Sequence, residues 1–171
     1  MCEAPHRTNL MPDAQSPEQR LESLGFKLPR PMQTANLPFQ LVRIDGNHAY
    51  LAGHVPLADD GSIARPLGKV GTDVTPEQGY QAAQRVALAF FASLVAAVGN
   101  LDRVAGWLKL FGMVNVAPGF NALPGVINGA SELILDVFGP ERGAHARSAV
   151  GMAELPFGVP VEIEAELKLK P

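Results

Sequence analysis

Cysteine is almost absent from this chain, since Cys2 is the only one among 171 residues. No disulfide can form within the chain, and a zinc site built on several cysteines is excluded. Such a composition is typical of a reducing compartment, and it predicts a cytoplasmic protein. Residues 1–7 also lack the apolar stretch of a secretory signal, so we expect no signal peptide.

Long apolar runs and a surplus of positive charge are lacking as well. The most apolar run, residues 86–98, is too short to cross a bilayer and predicts a buried helix. The net charge is -3, from 14 Lys and Arg against 17 Asp and Glu, whereas phosphate recognition draws on clustered basic residues. We therefore expect neither a membrane nor a nucleic acid as a partner.

Aromatic residues make up only 6% of a chain that is 47% hydrophobic, so the predicted core is aliphatic. A chain of this length commonly forms one domain. Residues 1–20 are polar and lack apolar periodicity, which predicts a flexible N-terminal tail before a single domain over residues 21–171. Ser16, Pro17 and Gly25 are nevertheless suited to cap, start and end a short helix.

The spacing of apolar residues predicts strands and helices in alternation. Thr75-Pro76-Glu77-Gln78 is a capping sequence, and the period of 3.6 after it predicts a helix up to Gly99. On the strand after this helix, Trp107 and Leu108 are expected on opposite faces, with Leu108 beside Leu110. The other predicted elements are a hairpin over 39–44 and 48–55, strands over 67–70 and 101–116, a helix from 123 or 126 to 138, and two strands near 145–150 and 161–167.

These elements predict an α+β fold with one mixed β-sheet and two helices packed on one face. The opposite face of such a sheet would still present apolar residues to water. Pairing with another subunit is the simplest way to cover them, so the sequence favours an oligomer.

Histidine is the residue type that most readily suggests a metal site here. The four histidines show no HxH or HExxH spacing, so we predict no metal ion. His54, between Gly53 and Val55, is the one best placed to line a ligand pocket. A structural histidine with hydrogen-bonded nitrogens is the alternative for this position.

Arg147 and the last strand carry the candidate chemistry. Arg147 lies among small and apolar residues, where an unpaired charge is costly. It either pairs with a nearby glutamate at a sheet edge or subunit interface, or clamps a carboxylate or phosphate in bidentate fashion. Glu162, Glu164 and Glu166 alternate with apolar residues and share one face. That face is either exposed to solvent or places one carboxylate beside a ligand and a water molecule.

Several segments of the chain match one known family over residues 24–167, most specifically from the arginine to the glutamate. They are Tyr50-Leu51-Ala52-Gly53-His54, Gly99-Asn100-Leu101-Asp102-Arg103-Val104, Asn128-Gly129-Ala130-Ser131, Ala146-Arg147-Ser148-Ala149-Val150, Leu155-Pro156 and Val161-Glu162-Ile163-Glu164. On these segments the chain resembles the RidA/YjgF reactive-intermediate deaminases, in a longer branch formerly named endoribonuclease L-PSP.

The resemblance implies a chorismate-mutase-like fold and a homotrimer whose sheets form a central barrel, with ligand clefts between subunits. It implies that Arg147 binds the carboxylate of a 2-imino acid and that Glu162 helps water to attack the imine carbon. Asn128 matches an asparagine of the cleft. The products would be a 2-keto acid and ammonia, and the reaction would use no cofactor.

Three ligand-binding positions of the family differ in this chain. Phe39 stands in place of a tyrosine, Ala52 of a serine and Ala149 of a cysteine, and each lost hydrogen bond is worth about 1 kcal/mol. Two hypotheses therefore stay open: a hydrolase that deaminates 2-imino or enamino acids, and a non-catalytic trimer that binds small carboxylate metabolites. A ribonuclease, as the older family name suggests, is disfavoured by the negative net charge and by the lack of a basic, aromatic-rich strand face.

Overall fold

Residues 15–33 and 38–171, which the computed structural model describes, form three helices and a five-stranded mixed sheet. The elements are α1 (Pro17–Ser23), β1 (Val42–Asp45), β2 (His48–His54), α2 (Pro76–Val98), β3 (Val104–Asn115), α3 (Leu123–Arg142), β4 (Ala146–Met152) and β5 (Val161–Leu169). The predicted strand over 67–70 is wrong, because Val70 forms only isolated bridges, to Val74 and Val116.

α1 places the start of the folded domain ahead of the predicted boundary at residue 21. Ser16 caps this helix: its Oγ accepts from the backbone N–H of Gln19, and Gln19 Oε1 accepts from that of Ser16. Leu21 is buried, and α1 packs against α3. Residues 17–20 therefore belong to the domain. The predicted tail over residues 1–14, with Cys2, lies outside the described residues.

The strand order is β1-β2-β5-β3-β4, and every neighbouring pair is antiparallel except β3 and β4. β1 and β2 form the predicted hairpin, with Gly46 at a φ of +58° in its turn. A parallel pair needs a crossover connection, and α3 supplies it between β3 and β4. The predicted mixed sheet is thus confirmed, with β1 and β4 as its edge strands.

α2 begins and ends where its sequence signals predict. Thr75 and Gln78 form a capping box, Pro76 occupies the first turn, and Gly99 ends the helix with a φ of +91°. By length and composition α2 could span a bilayer, with a mean hydropathy of 1.5 over its most apolar window. However, 61% of that window is buried inside the domain, as in the core helix that the sequence predicts.

We expect Thr75→Ala to lower the free energy of unfolding by about 1 kcal/mol, because the N–H of Gln78 loses its side-chain acceptor. Urea unfolding followed by circular dichroism measures this change. Thr72→Ala is the matched control, since Thr72 is exposed in the turn before the helix, and it should cost less than about 0.5 kcal/mol. Equal effects of the two substitutions would contradict the role of the cap.

α2 and α3 lie side by side on one face of the sheet and share one hydrophobic core. Their backbones approach closely at Gly129, where an added Cβ would lie 2.1 Å from the carbonyl oxygen of Tyr80. α3 changes direction at Gly139, which has a φ of +78° and precedes Pro140. Its regular part therefore ends at Phe138, as predicted.

A β-bulge in β3 reverses the predicted faces of two residues. Trp107 pairs with Leu167 and Lys109 pairs with Glu166, so two residues of β3 stand against one of β5. As a result Trp107 is buried in the core at 2% exposure, whereas Leu108 is 40% exposed. The prediction that placed Leu108 on the face of Leu110 is wrong, because simple alternation does not anticipate the extra residue.

The second face of the sheet is covered by none of the described helices. Aromatic and charged side chains line a cavity of about 300 Å³ on this open face. They include Arg43, Tyr50, Lys109, Phe111, Glu164 and Glu166. The sequence predicts an uncovered face with apolar residues; the face is uncovered by helices, but its lining mixes aromatic with charged side chains. The trimer stays a prediction.

Candidate functional site

Arg147 lies on β4 and directs its side chain to the helix side of the sheet, since it pairs with the buried core residue Leu110. Its Nη1 donates to Asn128 Oδ1 at 2.9 Å and to Ser131 Oγ at 3.0 Å. Asn128 and Ser131 are three residues apart on α3, and so they share one face of that helix. The two acceptors hold one end of the guanidinium in place.

The other edge of the Arg147 guanidinium is available to a ligand. Within residues 15–33 and 38–171 no carboxylate forms an ion pair with Arg147, so the intramolecular pair considered from the sequence is not formed there. Nη2 makes one long contact of 3.4 Å to the carbonyl oxygen of Pro124, and Nε makes no hydrogen bond to these residues. Nε and Nη2 together form an edge that can bind a carboxylate in bidentate fashion.

Ser131 links Arg147 to His145. Ser131 Oγ is 2.9 Å from His145 Nε2, and His145 Nδ1 is 2.7 Å from the carbonyl oxygen of Gly143. Burial lowers the pKa of His145, the hydrogen bond to Gly143 opposes this, and the positive charge of Arg147 lowers the pKa further. The lowered pKa favours the neutral imidazole at pH 7.

Glu162 lies on β5 and points to the open face of the sheet. It pairs with Met113 of β3, and its carboxylate lies against Gly53 of β2, where an added Cβ would be 2.0 Å from Glu162 Oε1. Partial burial raises the pKa of Glu162, and the charge of Glu164 raises it further. A carboxyl group with a raised pKa is suited to accept and return a proton near neutral pH.

Arg147 and Glu162 do not meet within one subunit. They lie on opposite faces of the sheet, and β3 separates their strands. Two strand spacings amount to roughly 10 Å. The site residues thus form two groups: the arginine half-site is Arg147 with Asn128, Ser131 and His145, and the glutamate half-site is Glu162 with Gly53.

The three family positions that differ in this chain lie on β4, on β2 and before β1. Ala149 follows Arg147 on β4 and is half-buried against the main core. Ala52 lies on β2 at the open-face cavity, and Phe39, which is 52% exposed, precedes β1. Since β5 and β3 lie between β2 and β4, Ala52 is remote from Arg147 of the same subunit.

His54 lies in the core. It is a structural histidine with hydrogen-bonded nitrogens, which is the alternative to a pocket-lining residue that the sequence left open. Its side chain is 4% exposed, and its Nε2 is 2.9 Å from Ser93 Oγ while Nδ1 is 2.6 Å from the carbonyl oxygen of Ala52. Burial lowers the pKa of His54 to about 4, although the hydrogen bond to Ala52 opposes this. His54 follows an irregularity in the pairing of β2 with β5, and it holds the backbone there beside Gly53.

In the described part of the chain, no group of three or more His, Cys, Asp or Glu side chains is placed to hold a metal ion.

Ser131 and Gly53 are functional candidates that sequence reasoning missed. Ser131 follows Asn128 by three positions on a predicted helix, which is a signal that both side chains share a face. For Gly53 the sequence offers no comparable signal, because only the pairing of β2 with β5 places it beside Glu162. His145 stands out in the sequence only as a histidine without metal-ligand spacing.

The mixed sheet with α2 and α3 on one face defines a chorismate-mutase-like α+β domain, and Arg147 on its edge strand forms no ion pair with the described residues. The chain belongs to the YjgF (RidA) family, because a profile described as "YjgF/chorismate mutase-like, putative endoribonuclease" matches residues 18–160. The resemblance drawn from the sequence is thereby confirmed.

Relatives share the fold over most of its length. The chain is 42% identical over 149 residues to protein TCP17 from Trypanosoma cruzi. This match covers 87% of this chain and 91% of TCP17. It is 41% identical to a solved protein of unknown function from Agrobacterium tumefaciens, with a TM-score of 0.82 and coverage of 90% and 92%. A structure from Shewanella oneidensis described as a "putative endoribonuclease" is 28% identical, with a TM-score of 0.84 and coverage of 91% and 100%. Family membership supports a small-molecule-binding or deaminase-like role.

Proposed function

We propose that this protein is a cofactor-free hydrolytic deaminase of small 2-imino or enamino acids, acting as a homotrimer in the cytoplasm. One observation carries the proposal: neutral acceptors hold Nη1 of Arg147, while its Nε–Nη2 edge lacks a carboxylate within the described chain. A half-buried guanidinium without a counter-ion attracts a small anion, and its planar fork favours a carboxylate. Every 2-imino acid and its 2-keto product carries that group.

A second subunit would complete the site. The arginine half-site and the glutamate half-site lie on opposite faces of one sheet, so a neighbouring copy has to bring Glu162 to Arg147. The open face supports association, because Tyr50, which lines its cavity, is 44% exposed. Sedimentation should give a mass three times that of the 18.2 kDa chain.

In this cleft the chemistry is a hydrolysis. Arg147 holds the substrate carboxylate, and water attacks the imine carbon while Glu162 accepts a proton from the water. That proton passes from Glu162 to the imine nitrogen, which gives a carbinolamine. The carbinolamine hydroxyl group then loses its proton to Glu162, which passes it to the nitrogen, so that the C–N bond breaks and ammonia leaves as the carbonyl of the 2-keto acid forms. Water is the only co-reactant.

An amino-acid oxidase that generates imines in situ tests the reaction, with imine loss followed in the presence and absence of the protein. Glu162→Gln should lower the rate by roughly 10²–10⁴-fold, since it removes the proton acceptor. The wild-type rate should rise with pH through the raised pKa of Glu162, because only the carboxylate accepts a proton. No acceleration for any of several imines would overturn the enzymatic proposal.

Glu166→Gln is the matched control for this experiment, since Glu166 is exposed on the same strand and the same face.

The free energy of unfolding of Glu162→Gln shows whether a lost rate reflects lost catalysis or a misfolded protein. The raised pKa means that the folded state binds more protons than the unfolded state between the two pKa values, so Glu162 makes stability fall as pH rises through that window. Glu162→Gln should therefore be at least as stable as wild type at pH 7, although its rate of imine hydrolysis is lowered.

A non-catalytic trimer that binds small carboxylate metabolites is the second candidate. Phe39, Ala52 and Ala149 favour it, because these side chains lack the hydroxyl or thiol groups that could hold a ligand and a water molecule. Calorimetry with pyruvate would then show binding that depends on Arg147. The oxidase assay would show no acceleration of imine loss. These two results together would favour the non-catalytic binding protein over the enzyme.

A further inference from the structure

We propose that His145 is a positioning residue, which orients the guanidinium of Arg147 through the hydroxyl group of Ser131. This inference rests on the proposed function of Arg147 as a carboxylate clamp. It concerns a side chain that reaches Arg147 through one intermediate, and not a group that touches the substrate.

The hydrogen-bond partners define where each proton lies. The carbonyl oxygen of Gly143 can only accept, so His145 Nδ1, 2.7 Å away, carries the proton. Nε2 of the neutral ring is then an acceptor, and it receives the hydroxyl proton of Ser131 at 2.9 Å. Ser131 Oγ in turn accepts from Nη1 of Arg147 at 3.0 Å. The donors therefore run in one direction, from Arg147 through Ser131 and His145 to Gly143.

This relay fixes the rotation of the Ser131 hydroxyl group. A serine inside a helix otherwise tends to donate to the carbonyl oxygen one turn earlier. Here His145 Nε2 takes the proton, so that a lone pair of Oγ faces Arg147. Ser131 is only 9% exposed, which restricts the access of a water molecule that could replace the histidine.

The orientation of Nη1 determines which edge of Arg147 faces a ligand. Nη1 carries two protons, and they are donated to Asn128 Oδ1 and to Ser131 Oγ. With the second bond lost, the guanidinium can tilt about its remaining contact with Asn128, and the Nε–Nη2 edge loses its fixed direction. Affinity for a carboxylate should then fall although the charge of Arg147 is unchanged.

Two substitutions at His145 test its two hydrogen bonds, to Ser131 and to Gly143, separately. His145→Asn keeps an amide N–H near the position of Nδ1, which can donate to Gly143, but removes the acceptor for Ser131. His145→Gln extends to the position of Nε2 and offers an amide oxygen to Ser131. We expect pyruvate binding, measured by calorimetry, to weaken about tenfold in His145→Asn and to stay within about threefold of wild type in His145→Gln.

Nitrogen-15 NMR of the His145 ring in the wild-type protein measures which ring nitrogen carries the proton. A merely structural role of His145 would not require one particular tautomer. At pH 7 we expect a proton on Nδ1 of His145 and none on Nε2. Ser131→Ala should keep this tautomer and weaken pyruvate binding as much as His145→Asn does. A proton on Nε2 in the wild-type protein at pH 7 would overturn the relay, and so would wild-type affinity in His145→Asn.

Arg147→Ala distinguishes failure of this inference from failure of the proposed function. If wild type and Arg147→Ala bind pyruvate equally, both proposals fail. If Arg147→Ala loses binding while His145→Asn retains it, only the positioning role fails. Thermal unfolding at one protein concentration verifies that each variant is folded.

Discussion

Arg147→Ala is expected to weaken the binding of a 2-keto acid by roughly 100-fold. The Nε–Nη2 edge can donate two charge-assisted hydrogen bonds to a carboxylate, and their loss together corresponds to about 3 kcal/mol. Isothermal calorimetry with pyruvate measures the change in affinity. The oxidase assay should show a loss of imine turnover of similar size, because the same clamp places the imine carbon beside the attacking water.

Two further variants control the Arg147 experiment. Arg147→Lys keeps the positive charge but loses the planar fork, so its affinity should lie between those of wild type and Arg147→Ala. Arg65→Ala removes an exposed arginine that forms no ion pair or hydrogen bond with the described residues, and it should bind pyruvate as wild type does. Binding by Arg147→Ala within threefold of wild type would contradict the clamp.

Gly129→Ala is expected to lower the free energy of unfolding by about 2–3 kcal/mol. The new Cβ would lie 2.1 Å from the backbone carbonyl oxygen of Tyr80, so α2 and α3 would have to move apart. The gain in helix propensity on replacing glycine by alanine, up to about 1 kcal/mol, offsets only part of this cost. Thermal unfolding should show a melting temperature lower by about 5–10 °C.

Gly125→Ala is the matched control, since it lies one turn earlier on α3 and has no atom within 4 Å of an added Cβ. It should leave stability unchanged or raise it by up to about 1 kcal/mol. Because Gly129 lies between Asn128 and Ser131, Gly129→Ala should also weaken pyruvate binding by displacing both acceptors of Arg147. Equal stability of the two variants would show that the helices can separate at no cost.

Short-range signals in the sequence were sufficient to predict α2 and the hairpin. The capping box at Thr75 and the glycine at position 99 act on backbone groups within one turn of themselves, so their effect does not depend on the rest of the fold. The family resemblance, carried by the spacing from Arg147 to Glu162, likewise needed only the order of residues along the chain.

The bulge at Trp107 could not be predicted, because it arises from the pairing of β3 with β5, which brings Trp107 against Leu167, 60 positions later in the chain. The Ser131–His145 contact could not be predicted either, because it also depends on how the elements pack. It exists only because α3 crosses over β3 and β4, which brings the residue before β4 against the helix.

The sequence by itself determined the family, helices α1 and α2 with their caps, and the two residues, Arg147 and Glu162, on which the chemistry is proposed to depend. Only the tertiary structure decided on which face of the sheet each of these two side chains lies. Alternation along a strand shows that neighbouring residues point to opposite faces, but not which face packs against the helices. Strand pairing settles that choice, and it places the arginine and the glutamate on opposite sides of one sheet.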